Sequence, residues 1–140
     1  MEKKIYFISG HINITNEEFQ EHYTDKIKEA ITQPNSVFVV GDANGADYMA
    51  QKMLSELLDD PTRVTIYHIG NTPRCLANKQ FNLKGGFYSH NGKDSAMTWE
   101  SGIDIAWVRS VEENKKMLGT AFNEKKISGT QRNLDRRKKL

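Results

Sequence analysis

The chain has 140 residues, a formal net charge of +2 and an apolar fraction of 37%. That length fits one domain with a modest core, and no apolar run approaches the ~18 residues of a membrane span. Cys75 is the single cysteine, which excludes an internal disulfide and a cysteine-based zinc site. The opening Met1-Glu2-Lys3-Lys4 lacks the apolar stretch of a signal peptide, so a cytoplasmic protein is expected.

The charge is unevenly spread. Arg132, Arg136, Arg137, Lys138 and Lys139 against Asp135 leave +4 in the last nine residues and −2 elsewhere. Basic residues at a helix end complement the macrodipole. Contact with nucleic acid is the sharper alternative, although no extended basic surface with interleaved aromatics accompanies the tail.

Ile5-Tyr6-Phe7-Ile8 reads as a first strand, apolar on both faces as in a covered parallel sheet. Thr15 and Glu18 have the capping-box spacing of a helix start, and Phe19, Tyr23, Ile27 and Ile31 give that helix a buried stripe. Pro34-Asn35 ends it, and Ser36 to Val40 is the second strand. Ala46, Met49, Ala50, Met53, Leu54, Leu57 and Leu58 then follow helical periodicity.

Val64 to Ile69 is the third strand. The polar stretch from Asn78 to Lys93 reads as a long functional loop, and Asp94 as the cap of a short helix reaching Ser101. Ile103 to Val108 is the fourth strand, with Asp104 expected to pair with Arg109. Ser110 and Glu113 start a helix that stops at Gly119, and Ser128 with Gln131 starts the last one. This β-α alternation predicts a single α/β domain over residues 1–140. Its sheet is doubly wound and mainly parallel, of about five strands or fewer, flanked by helices as in Rossmann-like folds.

Ligands of such folds bind beyond the carboxyl ends of the strands. There the sequence places Ser9-Gly10-His11, then Gly41-Asp42-Ala43-Asn44-Gly45 opening a helix. Gly41 and Gly45 permit close backbone approach, and a helix start of this kind suits an anion. The loop is neither a Walker loop nor a dinucleotide fingerprint. Asp47, in the first turn of that helix, reads as a dipole-stabilising residue. Ser128, Gly129 and Thr130 form a second anion-suited helix start, reinforced by Asn133. Asp42 is a candidate for holding a ribose or acting as a carboxylate, and Tyr88 for covering a base. Glu100 is the candidate catalytic carboxylate, able to act at a ribose C1′ through an oxocarbenium-like transition state. The four histidines show no metal-ligand spacing, and His11 is the best placed of them.

Phe7-Ile8-Ser9-Gly10-His11, Val39-Val40-Gly41-Asp42-Ala43-Asn44-Gly45-Ala46-Asp47 and Ser128-Gly129-Thr130-Gln131-Arg132-Asn133 together span nearly the whole chain. In their order and spacing they resemble the SLOG superfamily of Rossmann-like domains. That group includes Smf/DprA-type proteins, LOG-type phosphoribohydrolases and YspA-like proteins. The resemblance implies a nucleotide or nucleotide-derivative site, with phosphate on Gly129 and Thr130. Some relatives hydrolyse the N-glycosidic bond of nucleoside monophosphates; others are sensors or DNA-binding accessories. The chain departs from the LOG string Pro-Gly-Gly-x-Gly-Thr-x-x-Glu: Ser128 precedes Gly129-Thr130, and Asn133 stands in the glutamate's place.

The expectation is therefore a nucleotide-binding domain with no metal or bound cofactor of its own, in monomeric or homo-oligomeric form. Its enzymatic version is a nucleoside-monophosphate N-glycosidase; its alternatives are a non-catalytic nucleotide sensor and a nucleic-acid accessory.

Overall fold

A computed structural model describes residues 2–140. Five strands, β1 (Lys4–Ser9), β2 (Ser36–Val40), β3 (Val64–Ile69), β4 (Asn82–Phe87) and β5 (Ile103–Ala106), form one sheet in the order β4-β3-β2-β1-β5. Every pairing is parallel. The expected doubly wound α/β architecture is present.

One face of the sheet is covered by α1 (Asn16–Phe19), α2 (Asp25–Thr32) and α3 (Ala46–Leu57). Tyr6, Ile8, Phe38, Val40 and Ile66 of the strands meet Tyr23, Ile27, Ala50 and Leu54 of the helices there. The other face carries α4 (His90–Trp99) and α6 (Gly129–Lys138), with Phe7, Val39, Tyr67 and Met97 as its smaller core. The remaining helix, α5 (Val111–Leu118), lies between β5 and α6 in sequence. No helix among the described residues is long and apolar enough to cross a membrane.

The capping boxes read from the sequence form at Thr15 and Ser110, each with its reciprocal glutamate bond. At Ser128 only half of the box is made. The serine accepts from the Gln131 N–H, while the Gln131 side chain turns to Asp135. Between α1 and α2 the helix widens into one π turn, Gln20–Thr24. Such a turn re-aims side chains; here Tyr23 is driven into the core, fully buried. Its hydroxyl donates to the Ser9 carbonyl at 2.6 Å and accepts the Trp107 N–H at 3.0 Å. One phenol thus joins the carboxyl ends of β1 and β5.

The stretch expected to be a loop from Asn78 to Lys93 instead contains β4 and the start of α4. β4 is an edge strand, and nearly all of its Asn-Leu-Lys-Gly-Gly-Phe sequence is exposed. It therefore carries none of the alternation or apolar run that marks a half-buried or buried strand. No helix covers the β3–β4 crossover. An extended segment runs along α3 in its place, held by the buried Gln51. That amide donates to the Cys75 carbonyl and accepts the Ala77 N–H. Asn78 bonds Ser55, and Phe81 plugs the core.

The cap of α4 is Ser89, not Asp94. β5 stops at Ala106, shorter than expected. Asp104 pairs with Arg137 and not with Arg109. Arg137 reaches it with two nitrogens at 3.0 and 3.2 Å and also binds the Thr98 and Ser101 carbonyls. This cluster docks α6 against the end of α4 and β5.

Candidate functional site

β1 and β5 are neighbours, but the chain leaves β1 towards β2 and reaches β5 by crossing the opposite face. The order therefore reverses between them, and a crevice opens at their carboxyl ends. A cleft of about 550 Å³ occupies that place. Residues after β1 and β2, the first turn of α3, the first turns of α4 and the start of α6 line it. Ile12, Leu118, Ala121 and Ile127 form an apolar wall on the side of the β1 loop and the α5–α6 connection.

The floor is an acid cluster built around one ammonium group. Lys93 projects from α4 and is almost fully buried. Its Nζ lies 3.3 Å from Asp42 Oδ1 and 3.9 Å from Asp94 Oδ1. Arg74 closes the other side of Asp42: its Nε and Nη2 reach Oδ1 at 3.2 and 2.8 Å, and its backbone N–H reaches Oδ2 at 2.9 Å. Burial alone would raise the Asp42 pKa. The Arg74 bonds and the Lys93 charge outweigh it and bring the value down to about 2. Asp42 is thus permanently ionised, with both oxygens engaged.

Asp47 behaves in the opposite way. It stands in the first turn of α3, where a carboxylate is normally favoured. Its side chain turns back beneath Gly41 to accept the Ala43 N–H at 3.2 Å. A Cβ at Gly41 would fall 2.5 Å from Asp47 Oδ2, so only glycine leaves room for this carboxyl. Burial pushes its pKa up to about 7, against the opposing pull of the Ala43 bond and Lys93. Asp94 is raised as well, again by burial first, with Lys93 and Arg136 opposing. Three carboxyls therefore surround Lys93, with the Asp42 pKa pushed down and those of Asp47 and Asp94 pushed up.

The opposite wall is the start of α6. Ser128 caps it, and the Gly129 and Thr130 N–H groups belong to the first turn, where a helix has no internal acceptors. Thr130 and Asn133 are buried against the cleft, and Asn133 Oδ1 is taken by Arg136 at 2.7 Å. Ser9, the last residue of β1, also lines the cleft. Its hydroxyl is buried and has no hydrogen-bond partner. A buried hydroxyl without a partner is costly, and the cleft is where its partner would come from.

His11 is half-buried in the cleft wall, and its Nε2 accepts the Arg109 N–H at 3.0 Å. Burial, then the Arg109 charge, lowers its pKa, so the ring is a neutral acceptor. The Arg109 guanidinium is buried and spent on structure. It bonds both Glu18 oxygens at 2.7 and 2.8 Å and the Asn13 side chain and carbonyl. Those bonds hold Glu18 at about 2.

Of the residues picked out from sequence, Ser9, Gly10, His11, Gly41, Ser128, Gly129, Thr130 and Asn133 come together in the cleft. Five do not. Asp42 lies beneath the floor, locked by its two cations. Asn44 points out, accepting from the Cys75 thiol at 3.1 Å. Gly45 has φ +77, and its Cα packs on the His11 and Ile12 carbonyls, so it serves the turn into α3. Tyr88 is fully exposed, at 101%, because β4 and the Ser89 cap turn it outward. Glu100 caps the carboxyl end of α4. That helix runs antiparallel to the strands, so Glu100 sits at the sheet's amino edge, paired with Lys84. From the sequence, neither Lys93 nor Arg74 is picked out as a site residue, Asp94 reads as a helix cap, and His90 ranks behind His11. Lys93 and His90 fell in the presumed loop, and nothing local marks a lysine as buried.

Comparisons of the chain with protein-family models, curated proteins and solved structures returned no match.

The cleft thus has three chemically distinct parts: hydrogen-bond donors at the α6 start and Ser9, an ionisable floor, and an apolar wall. Among the described residues no group of histidine, cysteine or acidic side chains is arranged to hold a metal ion.

Proposed function

We propose that this cleft binds a nucleotide or nucleotide-derived ligand, as a member of the SLOG superfamily would. The phosphate meets the Gly129 and Thr130 N–H groups, the helix dipole and the Ser128 and Thr130 hydroxyls. The sugar hydroxyls lie over the Asp47–Lys93–Asp94 floor, and the base lies against Ile12, Leu118 and Ile127. The observation that carries this reading is the unpartnered Ser9 hydroxyl, buried in the same cleft that the α6 start lines. It supplies a second donor or acceptor for a polar ligand, independent of the helix terminus.

The enzymatic form of the proposal is hydrolysis of a nucleoside 5′-monophosphate to free base and ribose 5-phosphate. Glu100 has no part in it, being at the other end of α4. A nucleic-acid role for the basic tail has less support. Arg137 is committed to Asp104 and two carbonyls, and Arg136 to Asn133 and Asn91.

The test is thermal denaturation with millimolar nucleoside mono-, di- and triphosphates, cyclic nucleotides and ADP-ribose. A rise in Tm with any of them is expected. It should shrink in Thr130→Val, which keeps the helix but removes one hydroxyl at the phosphate end. No shift with any ligand would refute the proposal.

A further inference from the structure

Asp47 has one structural partner. Among the described residues its carboxyl accepts only the Ala43 N–H and makes no ion pair within 4 Å, and it takes up room that a side chain at Gly41 would otherwise fill. The neighbouring Asp42 already anchors Arg74 and Lys93. A half-buried carboxyl that lines a cleft floor, with one backbone N–H as its partner, is a candidate for chemistry. From this geometry we infer that Asp47 is the proton-accepting catalytic residue of the cleft, acting on a water directed at the C1′ of a bound nucleoside 5′-monophosphate. The inference rests on the nucleotide reading of the same cleft.

In the step, Asp47 removes one proton from water as the water oxygen bonds to C1′. The C1′–N bond breaks, and its electron pair leaves with the base nitrogen, which takes a proton from solvent at the cleft mouth. Asp47 then returns its proton to solvent. One water is consumed, and no oxidant, reductant or metal is needed. Lys93 is a positioning residue: its ammonium, held by Asp42, lies close to the developing carboxylic acid and sets when Asp47 can ionise.

Several charged groups face Asp47 and shape its ionisation. Asp42 lies in its own loop, Arg74 on the β3–β4 connection, and Lys93 and Asp94 on α4. Arg136 of α6 acts on Asp94, and the Tyr23 hydroxyl stands behind the α3 start. With the Asp47 pKa at about 7, a base that must be ionised gives turnover that rises through neutral pH.

The test is chromatographic detection of free base from each common nucleoside and deoxynucleoside 5′-monophosphate, beside the ligand-induced Tm shift. Asp47→Asn should lower base release at least 100-fold while keeping the Tm shift. Asp47→Glu should retain measurable release with a displaced pH profile. Base release by Asp47→Asn within tenfold of the parent protein would overturn the inference. A Tm shift without base release in the parent protein would overturn it and leave the binding proposal standing. No Tm shift with any nucleotide would overturn both.

Discussion

Replacing Asp47 by asparagine should make the protein more stable, by an amount that depends on pH in a defined way. The asparagine Oδ1 still accepts the Ala43 N–H, so the main change is loss of an ionisable group. The folded protein binds the Asp47 proton with a pKa of about 7, against an ordinary value of 3.8. Below about pH 4 both the folded and unfolded chains carry the proton, and the substitution is close to neutral. Between about pH 4 and 7 only the unfolded chain ionises. The parent protein therefore loses about 1.4 kcal/mol per pH unit relative to the variant. Above about pH 7 both states are ionised and the gap levels off at about 4 kcal/mol. Urea denaturation of the two proteins at pH 5, 6, 7 and 8.5 measures the difference directly. Glu18 is not among the groups acting on Asp47 and cancels, and Asp42, which does act on it, stays ionised in both proteins across this pH range. A gap that is the same at pH 5 and 8.5, or a variant less stable than its parent at pH 8.5, would refute the raised Asp47 pKa.

Other expectations follow from the contacts around the cleft. Glu18→Gln should cost about 1–2 kcal/mol at pH 7 in urea denaturation, because Glu18 is depressed to about 2 by its Arg109 bonds yet partly solvated. Since a depressed carboxyl stabilises only while ionised, the cost should fade as pH drops from about 4 towards 2. Tyr23→Phe leaves the Ser9 carbonyl and Trp107 N–H without their partner; a loss of about 1–3 kcal/mol is expected by the same assay. Arg137→Ala should cost a similar amount and loosen α6, read as faster hydrogen exchange there, whereas removing Lys138 to Leu140 should change neither. Glu100→Gln should leave ligand binding and any turnover unchanged and alter stability by no more than about 0.5 kcal/mol, as for an exposed ion pair.

The parts of the site that lie at the ends of apolar strands were legible from the sequence. β1 and β2 are buried on both faces, and their abrupt ends at Ser9-Gly10 and Gly41 mark the rim. Ser128 announces α6 through its cap. What escaped notice had no local signature. β4 is a polar edge strand that pairs only because β3 is beside it. Lys93 and Asp94 reach the floor because β4 brings α4 back across the opposite face, a fact of topology and not of composition. Glu100 misled because carboxylates near a strand suggest the rim, and only the direction of α4 shows that it caps the far edge. Asp47 is visible as a first-turn acid, which ordinarily means dipole compensation. Its place on the floor depends on the absence of a side chain at Gly41, and its ionisation on a lysine 46 positions away.

The Tyr23 clasp has a consequence for the order of folding. It joins residues 84 positions apart, and the His11–Arg109 bond beside it spans 98. Closing such separations is entropically slow. The β1–β2–β3 core, with Asp42 and Asp47 in place, can assemble from local crossovers well before β5 and α6 arrive. The cleft is then expected to form late, after the β1–β2–β3 core. A ligand spanning its floor and its α6 wall would slow unfolding and leave the folding rate almost unchanged, so its protection would be read as kinetic lifetime more than as speed of assembly.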